Sequence, residues 1–182
     1  MKTALLIIDM QKDYFENGAN PLSGSVEASL KAKEILEHFR TQNFPVFHIQ
    51  HTNIRPGSKF LLPDTPGIEI HENVKPVEGE KIILKHFPNS FRETGLLEYL
   101  QKTEITDLVI CGMMTHMCVD ATTRAAKDFG YNIMVISDAC ATKDLELSGV
   151  KTHAKDAQNA FLAALNYYYA KAVTAEEYLG GK

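Results

Sequence analysis

The sequence has little to offer a membrane, a nucleic acid or an oxidising compartment. No apolar run in its 182 residues approaches the roughly 18 needed to span a bilayer. The opening stretch MKTALLIIDMQKDYF meets an acid at Asp9, with no small-residue cleavage site. Positive charge is short: 19 Lys and Arg against 23 Asp and Glu leave a formal net charge of -4. Nothing therefore draws the chain to phosphate backbones or anionic surfaces. Cysteine is scarce. Cys111, Cys118 and Cys140 are odd in number, in a chain long enough to build a core without staples, so they are expected to be reduced. Repeats, linkers and low-complexity segments are also missing. These absences predict a single cytoplasmic domain over residues 1–182, 45% hydrophobic and 23% charged, with neither nucleic acid nor membrane as an expected partner.

What is present alternates. Ala4 to Ile8 is an unbroken apolar run, as suits a strand covered on both faces. Val26 to Phe39 has apolar residues near a helical period, and 45–51, PVFHIQH, is rich in β-formers. Thr52 to Gly67, with three prolines and two glycines, reads as a long loop. KIILK (81–85) predicts a third strand, Thr94 to Lys102 a short helix, and DLVICG (107–112) a fourth strand. Cys118 to Phe129 is then expected to be helical, with Gly130 placed for a left-handed cap, and NIMVIS to form a fifth strand. Gly149 to Tyr169 is read as one long helix, followed by a short strand at Ala172–Val173 and a capping-box signature, Thr174 to Glu177, opening a last helix. Strands alternating with helices predict a three-layer α/β/α domain, a doubly wound parallel sheet of about six strands.

In such sheets ligands lie beyond the carboxyl ends of the strands. Asp9 ends the first strand, His51 the second, Lys85 the third, and the fourth runs into GMMTHMC, with Cys118 at the start of a helix. Each alone has an ordinary structural explanation, as turn residue, snorkelling lysine or small core thiol. Together they form an acid, a base and a nucleophile on one edge. A helix N-terminus and a nearby lysine would both favour the Cys118 thiolate, Asp9 could carry the proton, and backbone N–H groups ahead of Cys118 could hold an oxyanion. The set suits acyl transfer from an amide-like carbonyl.

The segments LLIIDMQKDYF, KHFPNSF and VICGMMTHMCVDATTRAAKDFGY, followed by ISDAC, resemble the isochorismatase-like cysteine hydrolases in order and spacing over almost the whole chain. The resemblance implies the doubly wound fold and a catalytic Asp9, Lys85 and Cys118. It implies a non-proline cis peptide between Met113 and Met114, with the backbone N–H groups of Met114 and Cys118 as the oxyanion hole. The implied reaction is attack by Cys118 on a carbonyl, loss of amine to leave a thioester, and hydrolysis with Asp9 as base, without a cofactor.

Nicotinamidases of this family build a metal site around an Asp-x-His pair after the second strand. Here HIQHTNIRPGS gives His51-x-Asn53, which lacks the carboxylate. His51 and His71 alone fall short of a closed site, so no metal is expected. His51 is instead expected to wall the substrate pocket, with Gln11, Phe15, Phe60, Phe91, Thr115 and His116 as further substrate-binding candidates. Cys111 reads as inert core, and the role of Cys140 is open. The 52–67 loop exceeds usual connection lengths and reads as a lid or binding loop. Tyr167, Tyr168 and Tyr169 cannot all face one core, since successive helical residues point about 100° apart, which predicts a homo-oligomer, dimer or tetramer. Three functional classes follow. The leading one is a metal-independent hydrolase of an amide, carbamoyl or ureido bond. The others are an isochorismatase-type enol-ether hydrolase, and a thiol-bearing binding or redox-sensing domain without turnover.

Overall fold

The computed structural model describes residues 2–180. In chain order it contains β1 (Thr3–Ile8), α1 (Ser25–Thr41), β2 (Val46–His51), β3 (Lys81–Lys85), α2 (Leu96–Lys102), β4 (Asp107–Met113) and α3 (Asp120–Asp128). Then follow β5 (Asn132–Ala141), β6 (Leu145–Leu147), β7 (Val150–Thr152), α4 (Ala154–Tyr168), β8 (Lys171–Val173) and α5 (Ala175–Gly180). Six parallel strands form one sheet in the order β3-β2-β1-β4-β5-β8. The order runs outward in both directions from β1 and β4, the doubly wound arrangement expected, and the gap between the ends of β1 and β4 is its topological switch point.

β1 alternates its burial between the layers. Leu5 and Ile7 join Ala28, Ala32, Ile35, Leu36 and Phe39 of α1, while Ala4, Leu6 and Ile8 join Leu96 and Leu100 of α2, Ala126 of α3 and Leu165 of α4. β1 and β4 approach so closely that a Cβ on Gly112 would lie 2.0 Å from the Ile8 carbonyl oxygen, and Gly112 has φ +137°. Only glycine fits there. The terminal capping box forms as read: Thr174 N–H donates to Glu177 Oε2 at 2.7 Å and Glu177 N–H to Thr174 Oγ1 at 3.1 Å.

Three expectations need correction. α4 begins at Ala154, because 145–152 is a β-hairpin turned at Ser148 (φ +53°) and Gly149 (φ +81°). Val150 and His153 matched the helical period by chance. The helix expected from Cys118 starts at Asp120, and Cys118 falls within a five-residue π-helical turn, Thr115–Val119. The loop read over 52–67 continues to β3, interrupted by short 3₁₀ turns at Pro66–Ile68 and Glu72–Val74. It is strapped across the sheet edge: Asp13 Oδ2 accepts from Leu61 N–H, and Gln50 Nε2 donates to the Ile68 carbonyl at 2.7 Å. No helix among the described residues is long and apolar enough to cross a membrane.

Candidate active site

Parity along the strands brings the chemistry together. His51 follows Phe47 and Ile49 on the α2/α3 face of β2, and Lys85 follows Ile83 on the same face of β3, in register with it. Continued alternation would send Asp9 to the other face, since Ile8 already occupies this one. Asp9 instead adopts φ +49°, a left-handed turn that redirects its carboxylate toward Lys85 and is the sort of strained backbone that clusters at functional sites. Lys85 Nζ lies 2.7 Å from Asp9 Oδ2, with both side chains fully buried. The ammonium also lies 3.2 Å from His51 Nδ1 and donates to the carbonyls of Phe87 and Pro88 at 3.1 and 3.4 Å. This explains the KHFPNSF segment: its turn wraps the lysine, and Ser90 ties the turn to α3 through a 2.8 Å bond to Thr122 Oγ1. Asp9 Oδ1 has no hydrogen-bond partner among the described residues.

Cys118 meets this group from the π-turn at the end of β4, across the switch point. A side-chain ligating atom from each of Asp9, His51 and Cys118 lies within 4.8 Å of the others. Such π-turns recur where helices carry function. The bond between Met113 and Met114, which leads into the turn, is cis. Position in the chain favoured a thiolate, but the surroundings reverse this. Burial and then the Asp9 carboxylate push the Cys118 thiol well above its usual range, with Lys85 only partly opposing them. For Lys85, burial works against the charged form, but Asp9 and then Cys118 outweigh it and hold the ammonium above its ordinary range. Burial pulls His51 down to about 4, against the opposing effect of Asp9 and with help from Lys85. His51 is therefore neutral at neutral pH. An ammonium can only donate, so His51 Nδ1 accepts and Nε2 carries the proton.

The other candidates divide. Gln11 is fully buried and uses its amide on backbone: Nε2 donates to the carbonyls of His51 and Ile68, both at 2.8 Å, and Oε1 accepts from His51 N–H at 2.8 Å. It positions His51 and is not offered to a ligand. Thr115 Oγ1 is turned to Gln158 and the Ala141 carbonyl, and His116 Nδ1 to Thr142 Oγ1, so both face away from the reacting groups, toward α4 and the end of β5. Phe91 packs against Phe129 and Tyr131, at the opposite end of α3 from Cys118. Phe15 stacks on His71 with centroids 3.7 Å apart, beside a cavity of about 320 Å³ that Cys118 does not line. Phe60, half-buried, sits with its ring 5.9 Å from that of Tyr14.

Tyr14 was not among the residues expected at the site. It lies beside Phe15 in a single 3₁₀ turn, Lys12–Tyr14, and is 1% exposed. Burial, then the neighbouring Cys118, Asp9 and Asp13, push its phenol well above its usual range.

A metal at this centre would draw on Asp9, His51 and Cys118, but the Lys85 ammonium holds the cation's position against both Asp9 and His51. His71, the other histidine weighed as a ligand, stacks on Phe15 and accepts from Asn73 N–H at 3.3 Å. The donor set fits a lysine-centred cluster, in which the fixed positive charge is organic.

Comparison with known proteins agrees with the doubly wound fold. The family model "Isochorismatase domain" matches residues 3–177. The isochorismatase family protein YddQ of Bacillus subtilis (strain 168) is 47% identical over 179 residues, 98% of this chain and 99% of that protein. A streptothricin hydrolase of Streptomyces noursei is 34% identical over 142 residues, 78% of this chain and 50% of that protein. Among solved structures, an isochorismatase hydrolase from Oleispira antarctica superposes with a TM-score of 0.95 at 45% identity, covering 99% of this chain and 97% of that one.

Proposed function

Because the chain belongs to the isochorismatase family, and is thus an isochorismatase-family hydrolase, we propose that it cleaves an amide, carbamoyl or ureido C–N bond of a small molecule through a Cys118 thioester. The carrying observation is the buried cluster of Asp9, Lys85 and Cys118, with a carboxylate oxygen, Asp9 Oδ1, left without a partner beside a neutral thiol. The kinship with a streptothricin hydrolase supports C–N chemistry.

Since the resting sulfur is protonated, the thiolate forms only as attack proceeds. Asp9 takes the proton while Cys118 Sγ bonds to the carbonyl carbon. The oxyanion is received by the backbone N–H groups of Met114 and Cys118, at the two ends of the turn from Met114 through Cys118. Asp9 returns the proton to the nitrogen, the C–N bond breaks, and the amine departs from the thioester. Water then gives a proton to Asp9 and attacks the acyl carbon, and the sulfur leaves and is reprotonated. Lys85 keeps its proton throughout. Its role is to anchor the carboxylate and offset the negative charge that builds on sulfur.

The test is ammonia release over a panel of small amides and ureides, with isochorismate followed separately. Release that disappears in Cys118→Ala, with the fold retained, is expected. Turnover of isochorismate alone would replace the reading with enol-ether hydrolysis, and full activity in Cys118→Ala would end the thioester mechanism.

A further inference from the structure

We propose that Lys143 and Asn20 form an anion subsite over the turn that carries Cys118, so that the molecule cleaved there bears a carboxylate beyond its scissile carbonyl. This deepens the amidohydrolase reading and rests on it for taking the bound molecule as a substrate.

Sheet order places the pair. β4, which runs into the cis bond, lies between β1 and β5. Asn20 belongs to the segment after β1 and Lys143 to the segment after β5, and Lys143 Nζ donates to Asn20 Oδ1 at 2.8 Å. This bond therefore crosses the carboxyl end of β4, the end of such a sheet at which ligands bind. A contact with what lies beneath confirms the crossing: Asn20 Nδ2 is 3.9 Å from the sulfur of Met114, the residue that leads into the π-turn. Both segments are held in place by their backbones. Ser23 N–H donates to the Thr142 carbonyl at 3.0 Å, and Asn20 N–H to the Asp13 carbonyl at 2.9 Å.

The charge at this crossing is unspent. Lys143 is half-buried, and its ammonium bonds to Asn20 with no carboxylate paired to it among the described residues. The acids closest along the two segments are engaged elsewhere. Asp144 pairs with Lys151 at 2.8 Å and accepts from Ala154 N–H, and Asp13 accepts from the N–H groups of Leu61 and Ala19. Of the three donors on the ammonium, one is used on Asn20. Because an ammonium only donates, the Asn20 oxygen must face it, which turns the amide nitrogen toward the Met114 thioether, a weak acceptor. A charged and a neutral donor thus stand side by side over the crevice, a pairing that suits the two oxygens of a carboxylate. The reacting centre itself disfavours a second anion, since Asp9 Oδ1 is buried there without a partner. The two ends of a small amide, carbamoyl or ureido acid are sorted accordingly, the carboxylate to Lys143 and the neutral carbonyl to Cys118.

Iodoacetate and iodoacetamide, nearly equal in shape but anionic and neutral, supply the test. In both reactions the Cys118 S–C bond forms, C–I breaks with iodide leaving, and the thiol proton is lost. The two alkylation rates at Cys118 in the whole protein are read by peptide mass. A change in packing or in thiol acidity moves both together, so their ratio isolates the recognition of charge. The iodoacetate-to-iodoacetamide ratio is expected to fall about tenfold in Lys143→Met, as for a charge pair lost from a partly exposed site. Lys143→Arg should keep most of the ratio. Lys102→Met, which removes the same charge from the far end of α2, should leave it unchanged. Added salt should lower the ratio in wild type and barely move it in Lys143→Met. A fall of less than about threefold in Lys143→Met, or an equal fall in Lys102→Met, overturns the proposal. The ratio needs no turnover, so it is independent of the hydrolysis experiment: activity surviving in Cys118→Ala would end the thioester reading while leaving the anion subsite to stand or fall alone.

Discussion

Replacing Lys85 with methionine tests whether the centre is as closed as its geometry implies. Methionine keeps an unbranched apolar stem of similar length and deletes the charge. What remains is a fully buried Asp9 carboxylate with no counterion, and two carbonyls, of Phe87 and Pro88, and one imidazole nitrogen, His51 Nδ1, without their donor. Removing one member of a buried ion pair costs about 3–5 kcal/mol, whereas replacing both by neutral groups is often close to neutral. For a domain of this size each kcal/mol moves the melting temperature by about 2–4 °C, so Lys85→Met should melt about 6–20 °C below wild type. Asp9→Asn/Lys85→Met should recover part of that loss, giving a coupling of about 2 kcal/mol or more in a double-mutant cycle. Urea unfolding of the four proteins at neutral pH supplies the numbers. A Lys85→Met protein within about 1 kcal/mol of wild type would mean that water reaches the carboxylate, since exposed pairs are worth no more than that. The mechanism would then lose its sheltered proton carrier.

Iodoacetamide alkylation of Cys118 should keep rising with pH and reach no plateau between about pH 6 and 8, because burial and then Asp9 hold the thiol protonated; a plateau reached by neutral pH would refute this. By the same reasoning Asp9→Asn should quicken alkylation at about pH 8 while abolishing hydrolysis, since it removes a charge that raises the thiol. Glu80 should stabilise the fold in a pH-dependent way. Its own burial works against ionisation, but the bond from Arg40 at 2.7 Å, the Val77 N–H and His48 draw its pKa down to about 2. A depressed folded pKa gives stability that is present above the unfolded value and lost as pH falls from about 5 toward 2. Glu80→Gln should therefore cost about 1–3 kcal/mol at neutral pH and nearly nothing at about pH 2, and an equal cost at both would show that the charge is immaterial. Light scattering should give a dimer or tetramer, because Tyr167 and Tyr168 stand 92% and 66% exposed on α4; a monomer mass at working concentration would remove that expectation.

The fold was legible because its strands are of the doubly covered kind. Runs such as Ala4–Ile8 and the 108–113 segment LVICGM are apolar at consecutive positions, a pattern that only a sheet with helices on both faces can bury. Where the reading failed, two local signals competed. Val150 obeys a helical period with His153 and Ala157, yet the Ser148-Gly149 turn folds it into a hairpin that leaves Leu147 80% and Val150 70% exposed. Periodicity reports which residues share a face and says nothing about whether that face is covered.

The site followed a different logic. Asp9, Lys85 and the neighbourhood of Cys118 were found because strand ends are fixed by topology, so knowing the fold was enough to gather them. The flanking residues escaped because their directions depend on dihedral choices that residue type does not announce. A left-handed Asp9 moves a carboxylate from one face of the sheet to the other, and a π-turn resets the phase of every side chain after Met114. Even the charge state of Cys118 reversed. A helix N-terminus argues for a thiolate, but that field is worth about 0.3–2 kcal/mol, and burial beside a carboxylate outweighs it. Helix polarity can be read from sequence position, whereas desolvation is set by everything packed around the sulfur. At Cys118 desolvation prevails, so in the proposed reaction the proton would leave as the sulfur attacks, with the Asp9 carboxylate as the group to receive it.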